Sequence, residues 1–220
     1  MAAKRRSGAK HSDPRQLWLD LGDSLLPPPP PPPSSSKTPK SKDSVFFAIS
    51  LGAAAATPVS ELIDDLQHRY GLAGSQRPAE VLHISLLGLG GYRSLPSHIL
   101  DAALRGALLV DVPQFDVVFT RAIDFSVGSG RHAFVLRCDS GTAELEALQE
   151  AIVAAMNAVG LPIPLPSGFT PHMTLLYGPE RFPEIVLEKP ITLTVCDFTL
   201  VHSLYGRSIH QFLGRWPLRG

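Results

Sequence analysis

Two short stretches decide the fold and the chemistry of this 220-residue chain: Leu82–Leu87, which reads LHISLL, and Pro171–Leu176, which reads PHMTLL. Each contains a histidine, an apolar residue, a hydroxyl residue and two leucines in the same order. Each histidine also lies twelve residues after a glycine that ends a predicted helix, Gly71 in the first case and Gly160 in the second. A histidine with Ser or Thr two places on is common by chance. The shared frame, however, predicts a duplicated unit of strand, helix and histidine strand.

The duplicated unit opens on an apolar strand, Phe46–Ser50 in the first copy and Ala133–Arg137 in the second. Thr57 as N-cap and Pro58 at the first helical position predict where the first helix begins. The second copy predicts a helix over Thr142–Val159. Outside the two copies the sequence predicts a glycine-rich loop (Gly88, Gly90, Gly91), a helix (Pro96–Leu109) and two final strands (Ile191–His202 and Ser208–Arg215). Gly128–Gly130 is predicted to join a further strand, Phe115–Phe125, to His132–Cys138, which contains the opening strand of the second copy. Helices interleaved with strands indicate a mixed α and β fold.

The first 44 residues differ in composition from the rest of the chain. They contain the proline run Pro27–Pro33 and eight Lys and Arg against four Asp and Glu, so they carry about +4. We expect residues 1–44 to form a disordered, basic and proline-rich arm, able to bind a protein partner, and residues 45–220 to form the folded domain. Gln16–Leu26 within the arm is either a short docking helix or a partly apolar piece of tail.

Composition excludes several classes of protein. The formal net charge is zero, which excludes a globally basic nucleic-acid binder but allows a local basic cleft. Cys138 and Cys196 each lie in an apolar run and are expected to be reduced, buried thiols. No apolar run is long enough to span a membrane, and no apolar segment follows the basic start at residues 4–6, so we expect a cytoplasmic protein. No cluster has metal-ligand spacing, and neither a metal nor a cofactor is expected.

The residues of the two motifs suit chemistry at phosphorus. Side chains alternate along a strand, so His83 shares a face with Ser85, and His172 shares a face with Thr174. If the two copies pack about an approximate two-fold axis, the imidazoles face each other. One imidazole can then accept a proton while the other donates one, because both forms of histidine coexist near neutral pH. The hydroxyls can bind phosphate oxygens. The motifs therefore predict His83 and His172 as catalytic residues and Ser85 and Thr174 as phosphate-binding residues.

With both motifs placed, the chain resembles the 2H phosphoesterase superfamily, in particular its 2′-5′ RNA ligase (LigT-like) branch, which is marked by two H-x-[ST]-x motifs. The resemblance also covers four flanking stretches: Phe46–Ile49, Phe169–Pro171, Asp197–Ser203 and Arg215–Leu218. It implies an α+β, two-lobed fold in which duplicated βα units place antiparallel sheets around a central cleft. It further implies metal-independent opening of 2′,3′-cyclic phosphates of RNA ends or nucleotides, leaving a 2′-phosphate. In such a reaction His83 would be the proton donor to the leaving oxygen and His172 the acceptor from water.

The chain departs from the family pattern after its second motif. Many relatives have an arginine there, whereas this chain has Tyr177, which shares a face with Thr174 only if the strand bulges. Arg131 or Arg181 would then supply the positive charge, unless both are simply solvated. Tyr177 and Arg131 are therefore candidate substrate contacts.

Alternatives to cyclic-phosphate hydrolysis stay open at this point. They are reversible 2′-5′ RNA ligation, opening of another cyclic phosphate such as an ADP-ribose derivative, an RNA-binding module without catalysis, and a scaffold that acts through its arm. All four motif side chains are present, which favours an enzyme over a degenerate relative. We expect a monomer.

Overall fold

The computed structural model describes residues 43–126 and 130–220. The arm expected over residues 1–44 lies outside the described residues except for its last two, and so does most of the Gly128–Gly130 turn. The described residues form nine strands, three α-helices and one 3-10 turn, in the order β1 (Asp43–Ser50), α1 (Ala53–Tyr70), β2 (Ser75–Gln76), the 3-10 turn (Ala79–Val81), β3 (His83–Tyr92), α2 (Ser97–Ala107), β4 (Phe115–Ser126), β5 (His132–Ser140), α3 (Thr142–Ala158), β6 (His172–Gly178), β7 (Ile185–Val195), β8 (Asp197–Leu204) and β9 (Ile209–Pro217).

The strands form one sheet in the order β7-β4-β5-β6-β3-β1-β8-β9, and the short β2 also pairs with β6. Every pairing between these strands is antiparallel. The order is symmetric about the central β6-β3 pair, since each histidine strand is flanked by the first strand of its own copy, β5 on one side and β1 on the other. The predicted α+β fold with duplicated units and antiparallel pairing is confirmed. The central cleft stays a prediction.

The apolar core joins the sheet to the helices. Ile63 of α1, Ile152 of α3 and Ala103 of α2 are fully or almost fully buried, and they belong to the same cluster as Ile84 and Met173 of the central strands. The backbones of α2 and α3 approach each other closely, since a Cβ added at position 106 would lie 2.5 Å from the Met156 side chain. None of the described helices is long and apolar enough to cross a bilayer.

The first helix begins earlier than predicted. It starts at Ala53 and contains Pro58 in its interior, with Gly52 as its N-cap. The Thr57 hydroxyl donates back to the carbonyl of Ala53 (3.1 Å) and does not cap the helix. Four consecutive alanines favour helix strongly enough to extend it ahead of the proline. The predicted ends are confirmed, because Gly71 and Gly160 have φ of +62° and +82°.

Two predictions about the strands were wrong. The glycine-rich segment after the first motif is not a loop, because β3 continues through it to Tyr92. Ile191–His202 is not one strand, because the chain breaks at Cys196 into β7 and β8. β7 pairs with β4 and β8 with β1, on opposite sides of the central pair.

The two cysteines have different environments. Cys138 is buried, and burial raises the pKa of its thiol to about 12, as predicted for an inert core thiol. Cys196 is free but exposed, which contradicts the prediction that it is buried. Val195 at the end of β7 is buried and Thr194 is exposed, so the alternation of β7 places Cys196 on the exposed side.

Candidate active site

The central strand pair brings the two motifs side by side. Ile84 lies opposite Met173 in the antiparallel register of β3 and β6. Continuing that register places His83 beside Thr174 and His172 beside Ser85. The exposed fractions of Ile84 and Met173 are only 0% and 1%, and both side chains join the core. The two histidines and the two hydroxyl residues therefore occupy the opposite face of the sheet, hereafter the histidine face, where Ser85 is exposed and the other three side chains are partly buried.

A β-bulge follows each motif and accounts for the paired leucines. The register of β3 with β1 slips at Leu86, and the register of β6 with β5 slips in the same way at Leu175. The extra residue resets the alternation, so that Leu86 and Leu87 are both buried, as are Leu175 and Leu176. Two consecutive leucines after the hydroxyl residue are therefore the sequence signature of the duplicated bulge.

Each bulged leucine has a carbonyl that finds its donor outside the neighbouring strand. The buried side chain of Gln149 on α3 donates from Nε2 to the Leu86 carbonyl (2.6 Å). The backbone N–H of Arg77, just beyond β2, donates to the Leu175 carbonyl (2.7 Å). These bonds fix both bulges, and with them the positions of the motif side chains.

The second bulge determines where Tyr177 lies. Thr174 is opposite Val135 and Tyr177 is opposite Ala133. Val135 and Ala133 are two residues apart on β5 and share a face, so Tyr177 lies on the histidine face with Thr174. The first copy has Gly88 at the corresponding position, three residues after its hydroxyl residue.

The backbone holds both imidazoles in the same tautomer. His83 donates from Nδ1 to the carbonyl of Val81 (2.8 Å), and His172 donates from Nδ1 to the carbonyl of Thr170 (2.7 Å). In the neutral ring Nε2 is then the unprotonated atom, free to accept a proton. Ser85 Oγ is 3.1 Å from His83 Nε2 and donates to it when the ring is neutral. In the neutral form, both histidines therefore carry their unprotonated nitrogen at Nε2.

Aromatic rings surround the two imidazoles. Phe46 and His210 lie against His83, with ring centroids 5.1 and 5.0 Å away, and Phe125 lies 4.8 Å from His172. Phe46 belongs to one of the stretches that resemble the 2H phosphoesterases, whereas His210 was not predicted as a site residue. The sequence around His210 gives no indication that this residue belongs to the site. Its position beside Phe46 depends on the pairing of β9 in the sheet, which sequence alone does not show.

The charge state of His83 is strongly perturbed. Burial lowers the pKa of His83 to about 4, and electrostatic interactions with Arg77 and His172 act in the same direction, while the hydrogen bond to Val81 opposes them. Burial likewise lowers the pKa of His210 to about 4, with His83 and Arg77 adding to the effect. Both rings are neutral at pH 7. Arg77 is a second group near the site that the sequence did not single out.

The arginines proposed from the sequence differ in their surroundings. The guanidinium carbon of Arg131 lies 5.1 Å from the centre of the Tyr177 ring, so the two candidate contacts are brought together. Arg181 is 84% exposed and 3.7 Å from Asp124, a carboxylate that also binds His132, and nothing links Arg181 to the motifs. Arg77 lies 5.9 Å from the Tyr177 ring centre. In the described part of the chain, no three His, Cys, Asp or Glu side chains are grouped as metal ligands would be.

Comparison with known proteins identifies the family. A model of the 2′-5′ RNA ligase superfamily matches residues 55–206, more than half of the chain. The chain belongs to this superfamily. The match includes both histidine motifs, and the resemblance to the 2H phosphoesterases is thereby confirmed.

Solved structures of similar fold agree with this assignment. LigT of E. coli with NADP+ is 23% identical with a TM-score of 0.59, and the match covers 82% of this chain and all of LigT. TT0787 of Thermus thermophilus is 20% identical with a TM-score of 0.61, over 80% of this chain and 98% of that protein. A structure described as a phosphoesterase is 22% identical with a TM-score of 0.57, over 81% and 99% of the two chains. These likenesses show the fold. No curated protein sequence matches the chain.

Proposed function

We propose that this protein is a metal-independent phosphodiesterase that opens 2′,3′-cyclic phosphates at RNA ends or on nucleotides. The observation that carries the proposal is the register of Ile84 with Met173, which sets two imidazoles and two hydroxyls beside each other on one face. Membership of the superfamily supports the same chemistry. LigT of E. coli, which shares the fold, has been solved with 3′-AMP, with ATP and with phosphate.

The reaction needs one proton acceptor and one proton donor. Nε2 of one neutral imidazole removes a proton from water as the water oxygen bonds to phosphorus. The bond from phosphorus to one ribose oxygen breaks, and the other imidazole, as imidazolium, protonates that oxygen from its own Nε2. The hydroxyls of Ser85 and Thr174 donate to the non-bridging oxygens, where negative charge grows in the transition state. His83 and His172 are the catalytic residues of this scheme.

The lowered pKa of His83 affects the choice of which histidine donates a proton to the leaving ribose oxygen. In the free protein His83 is neutral at pH 7, which suits an acceptor. The resemblance implies that His83 donates, and for that it must first gain a proton. A bound phosphate adjacent to the ring would favour the imidazolium form and raise the pKa of His83. We propose that substrate binding protonates His83 and that His172 accepts the proton of water.

The roles of the two histidines can be separated with a substrate that needs no proton donor. A p-nitrophenyl nucleotide diester releases a stable phenolate. His83→Ala is expected to keep most of its activity on this ester while losing hydrolysis of the cyclic phosphate, whereas His172→Ala loses both. The opposite pattern would exchange the two roles and leave the acid/base pair itself intact.

The proposed activity is tested by incubating the protein in EDTA with 2′,3′-cyclic nucleotides and with oligonucleotides that end in a cyclic phosphate. The product is expected to carry its phosphate on the 2′ oxygen. Turnover of none of these substrates would contradict the proposal. Adding an RNA with a free 5′-hydroxyl tests 2′-5′ ligation, and binding of RNA without any turnover would instead indicate a non-catalytic module.

We propose that the enzymatic unit is the folded domain alone. β1 begins at Asp43, whose carboxylate accepts from the backbone N–H of Tyr205 (2.9 Å), so the domain includes two residues first assigned to the arm. Deleting residues 1–42 is expected to leave turnover of a cyclic mononucleotide unchanged, and a large loss would make the arm part of the enzyme.

A further inference from the structure

Two arginines share one tyrosine on the histidine face. Arg131 precedes β5 and Arg77 follows β2, the strands on either side of β6. Their guanidinium carbons lie 5.1 and 5.9 Å from the centre of the Tyr177 ring, which β6 contributes. Arginine and the face of an aromatic ring attract each other, so both side chains pack against the same ring.

In the part of the chain that the structure describes, the positive charge of this pair is not offset by a contact with a carboxylate. Five other arginines of the domain contact Asp or Glu side chains, namely Arg69, Arg121, Arg181, Arg215 and Arg219. Within residues 43–126 and 130–220, neither Arg77 nor Arg131 makes such a contact. Residues 45–220 carry 12 Lys and Arg against 16 Asp and Glu, so the pair is a local excess of positive charge on an acidic domain.

The arginine pair is close to the proposed catalytic groups. The backbone of Arg77 is fixed to the carbonyl of Leu175 (2.7 Å), one residue after Thr174. The charge of Arg77 also lowers the pKa of His83 and of His210. An anion bound by the pair would therefore lie next to a phosphate held by the motif hydroxyls, on the same face of the sheet.

We propose that Arg77 and Arg131 form, with Tyr177, a second anion subsite that takes the phosphodiester joining the terminal nucleotide to its neighbour. The guanidinium group matches phosphate geometry with two parallel donors, and two such groups surround one anion without a competing carboxylate. A cyclic mononucleotide lacks that phosphate. The subsite therefore selects RNA ends over free cyclic nucleotides, an inference that rests on the proposed function.

The test compares two dinucleotides that end in a 2′,3′-cyclic phosphate and differ only in their internal linkage. One linkage is a phosphodiester and the other an uncharged methylphosphonate. The wild-type protein is expected to show a kcat/KM about tenfold or more higher for the charged substrate. Arg131→Gln and Arg77→Gln are each expected to bring the ratio close to one, while Arg181→Gln, which removes an exposed arginine paired with Asp124, keeps the wild-type ratio. The kcat/KM values of the two dinucleotides are compared within each variant. A change in the pKa of His83 caused by the loss of an arginine therefore affects both values alike and leaves their ratio unchanged.

The outcomes separate the subsite from the proposed function. Equal kcat/KM on the two dinucleotides, or a wild-type ratio in both Arg77→Gln and Arg131→Gln, would overturn the subsite and leave the phosphodiesterase standing. If the wild-type protein turns over no cyclic phosphate, the proposed function fails. Calorimetry with the two linear dinucleotide 2′-phosphates then decides the subsite alone. Tighter binding of the charged one, lost in Arg131→Gln, supports it, and equal binding overturns it.

Discussion

Replacing His210 by glutamine is expected to make the protein less sensitive to acid. Burial lowers the pKa of His210 to about 4 from an ordinary value of 6.5, so between these limits the unfolded chain binds a proton that the folded chain excludes. The contribution of neutral His210 to the free energy of unfolding is fully present above pH 6.5. It is lost as the pH falls from 6.5 through 4. At 1.36 kcal/mol per pKa unit the shift corresponds to about 3 kcal/mol, and because the His210 ring is only partly buried, solvent screening reduces the expected loss to about 1–2 kcal/mol. His83 adds a loss of the same sign.

The assay is urea unfolding of the wild-type protein and the His210→Gln variant at several pH values between 7.5 and 4. The free energy of unfolding of the variant should fall by about 1–2 kcal/mol less than that of the wild type over this range. His98→Gln is the matched control, because His98 is exposed on α2 and should leave the slope unchanged. Equal slopes for His210→Gln and the wild type would refute the reasoning, as would an NMR titration of His210 near pH 6.5.

Three further outcomes follow from the site. His83→Ala and His172→Ala are each expected to lower kcat on a cyclic nucleotide by 10²-fold or more with the circular dichroism unchanged, and a near-normal rate in either would remove that residue from the mechanism. Ser85→Ala and Thr174→Val should lower kcat by about 10²-fold, since each deletes a donor to the phosphate oxygens, and an effect on KM alone would indicate binding without transition-state stabilisation. Gln149→Leu leaves the Leu86 carbonyl unpaired in the core and should cost about 1–3 kcal/mol in urea unfolding, and an unchanged midpoint would show that the bulge does not need this donor.

The frame around the two motifs could be predicted from the sequence because its signals are local. Helix stops at Gly71 and Gly160 depend on backbone conformation within a few residues, and both have positive φ in the structure. The alternation that puts His83 with Ser85 is likewise a property of one strand. These local rules were enough to place the two motifs on strands and to order the strand, helix and histidine strand of each copy.

The other parts of the site depend on which strands become neighbours. Nothing near His210 in the sequence shows that β9 will place it against His83, and nothing near Arg77 shows that its backbone will pair with β6 beyond the bulge. The division of Ile191–His202 has the same origin, since both halves have strand-forming residues and only the sheet sends them to different partners. The repeated leucine pair was a visible sign of the bulges, and it could have placed Tyr177 on the histidine face.

The difference between Gly88 and Tyr177 gives the duplicated site a direction. A site with exact two-fold symmetry would accept a cyclic phosphate in two equivalent poses, with the donor and the acceptor exchanged between them. Here one half has an aromatic side chain flanked by two arginines, while the other has Gly88, where an added Cβ would meet no atom within 4 Å. We therefore expect a substrate with unlike ends to bind in one orientation. The residue at this one position, Gly88 in one copy and Tyr177 in the other, thus distinguishes the two halves of an otherwise duplicated scaffold.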